Sequence, residues 1–205
     1  MKNAKPDIIV RLAAFFHDIG KGETKTEKGG KIHFYGHEFK SADLARQIMN
    51  RLKYPNDVID AVVVAIKNHM RTKSFGKEAE LVSDKALRKL MNDLGNHLDS
   101  VLELVHSDNI SHGDNTKNWQ HNLPNQVEFL RKKMKELGDF TGKLRIPIDG
   151  KDVIALIQKE DPNFKPGKAI GDILDVIKDK FLENPKISKQ EAEKIVVDTY
   201  RSMKR

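Results

Sequence analysis

The chain has 205 residues, 38% hydrophobic and 33% charged, enough to bury the core of one large domain or two small ones. It contains no cysteine, which excludes disulfides, thiolate metal sites and cysteine nucleophiles. No stretch is apolar for long enough to span a bilayer and no secretory signal follows Met1, so we expect a cytoplasmic protein.

The net charge of +7 is unevenly spread, because residues 131–205 carry 18 basic and 13 acidic side chains. That surplus suits contact with a polyanion such as RNA. A solvated basic face explains the same pattern equally well.

Apolar residues recur with helical spacing along most of the chain. Pro6 and Asp7 suit the start of a buried helix over residues 6–18, and Gly20 stops it. Residues 20–36 hold five glycines and are predicted to form a mobile loop. Helices are predicted next at residues 37–52 and 55–69. The second has a β-branched run that could form a strand, but its length and proline start favour a helix.

The remaining pattern is also helical. Residues 71–82 are predicted to be a loop, and Ser83 is expected to cap the helix that follows. Further helices are predicted at residues 84–94, 97–109, 124–137, 149–160, 167–182 and 188–203. We find no clear strands and expect an all-α fold. The break at 138–147 divides it into a helical bundle, residues 1–137, and a small helical C-terminal region, residues 138–205.

His17 and Asp18 lie side by side near the end of the buried first helix. A buried charge is costly unless it is paired or binds a metal. Imidazole and carboxylate are ordinary ligands for zinc, manganese, iron or magnesium-class ions. Lys21 follows in the loop, where its ammonium could hold a phosphate oxygen. In an isolated His-Asp dipeptide, the two side chains more often pair with each other and cap the helix end than bind a metal.

Three further residues share this placement at the ends of predicted core helices: His37, His69 and Asp108. Side chains from such ends can converge in a helical bundle. One histidine at a helix end is usually structural, but the repeated placement favours a metal site.

These residues also carry a family resemblance. Residues 16–21 (FHDIGK) resemble the HDxGK signature of the HD phosphohydrolase superfamily. The match continues in order through residues 34–38 with 41–42, then 68–70, then Asp108. More narrowly, the series resembles the HD region of bacterial CCA-adding tRNA nucleotidyltransferases. Two later stretches resemble the segments that follow that region in those enzymes: residues 146–153 and 165–174. The resemblance covers almost the whole chain.

The resemblance implies an HD-domain bundle with particular roles for these residues. His17, Asp18 and Asp108 would bind a divalent ion. His37 and His69 would bind a second ion or the substrate phosphate, beside Lys21. We therefore expect Asp18, Lys21, His37 and His69 to be catalytic. Manganese, nickel, magnesium, iron and zinc all remain open as the metal, and the implied substrates are nucleotides or phosphoesters of RNA or tRNA.

Two departures from the family pattern affect the functional hypothesis. The superfamily has a further histidine ligand on a helix before the His-Asp pair, and residues 1–6 contain no histidine. The nucleotidyltransferase head is also absent, so we do not expect this chain to add CCA by itself. The alternatives are a metal-dependent phosphohydrolase, which we favour, a non-catalytic RNA-binding remnant, or a fragment of a CCA-adding enzyme.

Weaker candidates lie elsewhere in the sequence. Lys165 and Lys168 flank a predicted helix start, whose backbone N–H groups could accept an RNA phosphate. His112 could support Asp108 from the same helix face, and Trp119 could stack on a base. A lone tryptophan more often anchors a loop onto the core.

Overall fold

The computed structural model describes residues 7–73, 75, 82–111, 126–141 and 144–204. The helices in chain order are α1 (Ile8–Phe16), α2 (Lys21–Thr24), α3 (His37–Arg51), α4 (Asn56–Lys73), α5 (Asp84–Leu94), α6 (Leu98–Ser111), α7 (Gln126–Leu137), α8 (Gly150–Glu160), α9 (Lys168–Glu183) and α10 (Lys189–Met203). Two short strands, β1 (Thr26–Lys28) and β2 (Lys31–His33), lie between α2 and α3, and a 3-10 turn at Gly95–His97 joins α5 to α6. The predicted all-α fold class is confirmed.

The prediction of a strand-free loop at residues 20–36 is wrong. β1 and β2 form an antiparallel hairpin in which Lys28 pairs with Lys31. The intervening Gly29 and Gly30 have φ angles of 60° and 70°. A two-residue hairpin turn with both φ values positive suits glycine, because glycine has no Cβ to clash. The strands are three residues each and largely exposed. They therefore lack the alternation of apolar and polar residues from which a strand is predicted.

The first hydrophobic core forms around α4. Val62, Ala65 and Ile66 on this helix are fully buried, and α4 packs against α1, α3 and α6. The β-branched run therefore belongs to a helix, as predicted. The helix continues through Lys73, so the predicted start of the following loop at residue 71 is wrong.

Side-chain caps begin two of these helices where the sequence indicated. The Asp7 carboxylate accepts a hydrogen bond from the Val10 N–H at 3.0 Å. The Ser83 hydroxyl accepts one from the Ala86 N–H at 3.2 Å. Each cap satisfies a backbone N–H that has no partner within its helix.

A second hydrophobic core joins α8, α9 and α10. It includes Val153, Ile173 and Val196, all fully buried. The two cores meet where α5 packs against α9. There Arg88 donates hydrogen bonds to the carbonyls of Leu182 and Glu183 at the C-terminus of α9, at 3.0 and 3.2 Å.

The proposed division of the chain at residues 137 and 138 stays a prediction. Among the described residues, no helix combines the length and the hydrophobicity needed to cross a membrane.

Candidate metal centre

The His-Asp pair lies on the turn that ends α1. Phe16, the last residue of that helix, is buried in the first core, so the turn begins directly beside that core. Lys21 begins α2 on the far side of the turn, where the Lys21 Nζ lies 2.7 Å from Asp18 Oδ2. Lys21 therefore belongs to a short helix and not to the predicted loop.

Gly20 allows this turn to press against α3. Its N–H donates to the Ser41 hydroxyl at 2.9 Å. A Cβ at Gly20 would lie 2.6 Å from the Ser41 nitrogen and 2.8 Å from the His37 carbonyl oxygen. Contacts that short with backbone atoms are not tolerated without movement of the helix. The glycine of the HDxGK signature is thus required by the close approach of the turn to α3.

Helix ends bring the other predicted residues to the same place. His37 is the first residue of α3 and is buried. His69 lies near the end of α4, and Asp108 lies in the last turn of α6; both are buried. Because α4 packs against α3 and α6, these ends converge beside the turn after α1.

In His17, His37 and His69, a backbone carbonyl three residues earlier contacts the ring and orients it. Nδ1 of His17 lies 3.0 Å from the Ala14 carbonyl, and Nδ1 of His37 lies 2.8 Å from the Phe34 carbonyl. Nδ1 of His69 lies 2.6 Å from the Ile66 carbonyl. A carbonyl oxygen only accepts, so Nδ1 carries the proton in each ring. Nε2 of each neutral ring then offers a lone pair, the arrangement usual for metal-binding histidines.

The Asp18 carboxylate lies between two of these rings. Its Oδ2 is 3.3 Å from His17 Nε2, and its Oδ1 is 3.4 Å from His37 Nε2. Asp108 contacts the same His17 nitrogen, with Oδ1 at 3.4 Å from Nε2. Asp18 therefore lies between His17, on the turn after α1, and His37, at the start of α3, while Asp108 of α6 contacts the same nitrogen of His17.

The donor atoms fit a divalent cation. His17 Nε2 is buried without a hydrogen-bond partner, although two carboxylates face it. In the neutral ring this atom is a lone pair opposed to negative oxygens, an unfavourable arrangement unless a proton or a metal ion lies among them. Two ligands each about 2.1 Å from an ion are about 3.4 Å apart at a tetrahedral angle, which matches the observed spacings.

A second set of donors converges on the same carboxylate. One ligand atom each from Asp18, His37 and His69 lies within 4.8 Å of the other two. The rings of His17 and His37 both contact the His69 ring edge-on, with centroids 5.3 and 5.4 Å away. Nitrogen and oxygen donors of this kind suit several first-row metals and do not identify one.

The charges around His17 and Asp18 shift the pKa of both side chains. Burial lowers the pKa of His17, but its side-chain contact with Asp108 and the charges of Asp18 and Asp108 outweigh burial and raise that pKa above its ordinary value. Burial raises the pKa of the Asp18 carboxyl, but the charge of His17 and the hydrogen bond from Lys21 outweigh it and lower that pKa. The cluster thus favours a positive charge on the His17 ring.

One side of the centre faces solvent. The side chains of Asp18 and Lys21 are 39% and 37% exposed, whereas His37, His69 and Asp108 form a buried floor. A phosphate arriving from solvent would therefore meet Asp18 and Lys21 first.

Two other predicted residues lie away from this cluster. Lys165 and Lys168 are exposed beside the start of α9, in the part of the chain that forms the second core. His112 and Trp119 lie outside the described residues. The sequence analysis did not predict the carbonyls of Ala14, Phe34 and Ile66 that orient the rings. The sequence indicates them only by their position three residues before each histidine.

The HD domain family model matches residues 2–159, and the chain belongs to the HD domain family. Relatives share shorter segments. The Multifunctional CCA protein of Azoarcus sp. (strain BH72) is 50% identical over 60 residues, 29% of this chain and 14% of the relative. The Multifunctional CCA protein of Actinobacillus pleuropneumoniae serotype 5b (strain L20) is 39% identical over 87 residues, 42% of this chain and 20% of the relative.

A third relative is named for a different activity. The CC-adding tRNA nucleotidyltransferase of Thermus thermophilus is 37% identical over 62 residues, 29% of this chain and 14% of the relative. The matched part of this chain therefore spans a fifth or less of the length of each of these relatives. No solved structure gave a significant match.

Proposed function

We propose that the protein is a metal-dependent phosphohydrolase acting on phosphoesters of nucleotides or RNA ends. The observation that carries this proposal is the buried His17 Nε2 without a hydrogen-bond partner, opposed by two carboxylates. His17, Asp18 and Asp108 would hold one divalent ion. His37 and His69 would hold a second ion or the substrate phosphate.

The chemistry assigns separate tasks to the protein side chains. When bound, a divalent ion supplies Lewis acidity at a phosphoryl oxygen and acidifies a water. Asp18 links the two halves of the centre through its two oxygens. Lys21, anchored 2.7 Å from Asp18 and partly exposed, offsets negative charge that develops on the phosphate. The carbonyl contacts at Nδ1 keep the histidine rings in one tautomer and one orientation.

Hydrolysis of bis(p-nitrophenyl) phosphate and 2′,3′-cyclic AMP tests this proposal. We expect turnover with added manganese or nickel and its loss on chelation. Asp18→Ala should abolish turnover with an unchanged circular dichroism spectrum. Asp60→Ala, which removes an exposed carboxylate paired with Arg46, should behave as the wild type. Equal hydrolysis by the Asp18 variant would refute the site.

A second candidate function is non-catalytic binding of RNA or tRNA, as a remnant or fragment of a CCA-adding enzyme. The relatives named for CCA and CC addition and the exposed Lys165 and Lys168 favour it. Lys165→Gln with Lys168→Gln should then weaken tRNA binding and flatten its salt dependence, without any turnover in the parent chain.

A further inference from the structure

The segment before α3 carries an exposed pair of stacked aromatic rings. The rings of His33 and Tyr35 have centroids 5.0 Å apart and an interplanar angle of 9°. Tyr35 is 76% exposed, the highest value among the exposed large hydrophobic residues of the described chain. A large ring held in water with one face already stacked forms a flat surface for a further planar group.

The backbone joins this pair directly to His37, the first residue of α3. The His37 N–H donates to the Phe34 carbonyl at 3.2 Å, so residues 34–37 form a turn. Gly36 adopts a left-handed φ of 74°, and Tyr35 therefore projects from the corner of that turn. One residue, Gly36, separates Tyr35 from His37, which limits their Cα separation to about 7 Å.

The same turn is tied to the phosphate-facing lysine. Lys21 Nζ lies 5.7 Å above the centre of the Phe34 ring, a distance that permits a cation–π contact. The same Nζ is 2.7 Å from Asp18 Oδ2. Tyr35 therefore follows directly in the chain after the residue whose ring Lys21 contacts.

We propose that His33 and Tyr35 form a stacking surface for the base of a nucleotide whose phosphate lies at Asp18 and Lys21. This inference rests on the proposed function, because it takes the phosphate position from it. Stacking on an aromatic side chain accepts any base, since each has a π face. The predicted substrate class is therefore nucleotides without strong base preference, rather than phosphate esters in general.

Equilibrium binding tests the stacking surface without turnover. Adenosine 5′-monophosphate and ribose 5-phosphate are titrated by calorimetry into the full chain with and without manganese. We expect adenosine 5′-monophosphate to bind at least about fivefold more tightly than ribose 5-phosphate in both conditions, because stacking of one base contributes that much affinity. Tyr35→Ala should erase that preference, and Tyr35→Phe should retain it.

Ile32→Ala is the matched control. Ile32 is 53% exposed on the same hairpin, and it precedes His33, so the two side chains point to opposite faces of the strand. This variant should keep the preference for the nucleotide. Equal binding of the two probes by the wild type, no measurable binding of the nucleotide, or an unchanged preference in Tyr35→Ala would overturn the inference. A Tyr35-dependent preference in a protein without hydrolysis would uphold the surface and refute only the proposed function.

Discussion

His17 Nε2 lies 3.4 Å from Asp108 Oδ1, although the two residues are separated by 91 positions in the sequence. This contact joins the end of α1 to the last turn of α6. Because the Ala14 carbonyl fixes the ring proton on Nδ1, the contact places a lone pair against a carboxylate. A proton or a metal ion between them removes the repulsion, and four predictions concern this site and the fold that supports it.

The first prediction concerns Gly20. Gly20→Ala should lower the free energy of unfolding by about 1–3 kcal/mol. The reason is that the new Cβ would lie 2.6 Å from the Ser41 nitrogen in a packed region. Gly22→Ala is the control, since a Cβ there meets nothing within 4 Å. Urea denaturation of both variants gives the comparison. Equal stability of the two would show that the turn does not press on α3 as described.

The second prediction concerns pH. The pKa of His17 in the folded, metal-free protein is raised, so its protonated form stabilises the fold below the unfolded pKa, and that stability is lost as the pH rises through the folded pKa. A metal ion must displace the same proton. Manganese affinity should therefore increase by up to about tenfold per pH unit below this pKa and level off above it.

If the proton and the metal ion compete for His17, fold stability and manganese affinity should change in opposite directions as the pH rises. Urea denaturation in a chelator should show the His17 contribution falling as pH rises, whereas calorimetric manganese titrations should show tighter binding. His17→Gln should remove the His17 contribution to both trends. Metal affinity that is independent of pH near neutrality would contradict the assignment of His17 as a ligand.

The third prediction concerns Lys21. Lys21→Met should reduce kcat by about 10²- to 10³-fold, the usual effect of removing one group that stabilises transition-state charge. Bound metal should remain, because the ammonium contacts Asp18 from the exposed side. Lys25→Met, a change of an exposed lysine after α2, serves as control. Loss of metal together with activity would make Lys21 a structural partner of Asp18 instead.

The fourth prediction concerns the junction of the two cores. Arg88→Ala should lower the free energy of unfolding by about 1–3 kcal/mol, since it leaves the Leu182 and Glu183 carbonyls without this donor. Arg46→Ala should cost less than about 1 kcal/mol, because Arg46 forms an exposed ion pair with Asp60. A similar effect of both changes in urea denaturation would show that Arg88 does not hold α9 against α5.

Sequence patterns predicted the helices well because long apolar faces repeat with helical spacing. The caps at Asp7 and Ser83 followed from local chemistry. The hairpin at residues 26–33 was not predicted, because its exposed strands pack no core and only its two glycines indicated a turn. The extension of α4 to Lys73 was also missed, since residues 70–73 continue the helix without a strong apolar signal.

The candidate site was predictable as a set of residues but not as a geometry. Helix ends and the family motif selected His17, Asp18 and Asp108, whereas their spacing of 3.3–3.4 Å depends on how α1, α3, α4 and α6 pack. The carbonyls that orient the rings are backbone groups. Because every residue has such a group, residue identities could not predict these contacts. The stacked rings of His33 and Tyr35 likewise depend on the unpredicted hairpin.

The metal content of the purified protein tests the central claim most directly. After loading with manganese and removal of excess ion, we expect at least one ion per chain in the wild type and in the Asp60→Asn control. Asp108→Asn should retain the circular dichroism spectrum and lose most of the bound metal. A wild-type protein that binds no divalent ion, or an Asp108→Asn variant that binds as much as the control, would contradict the assignment of this cluster as a metal centre.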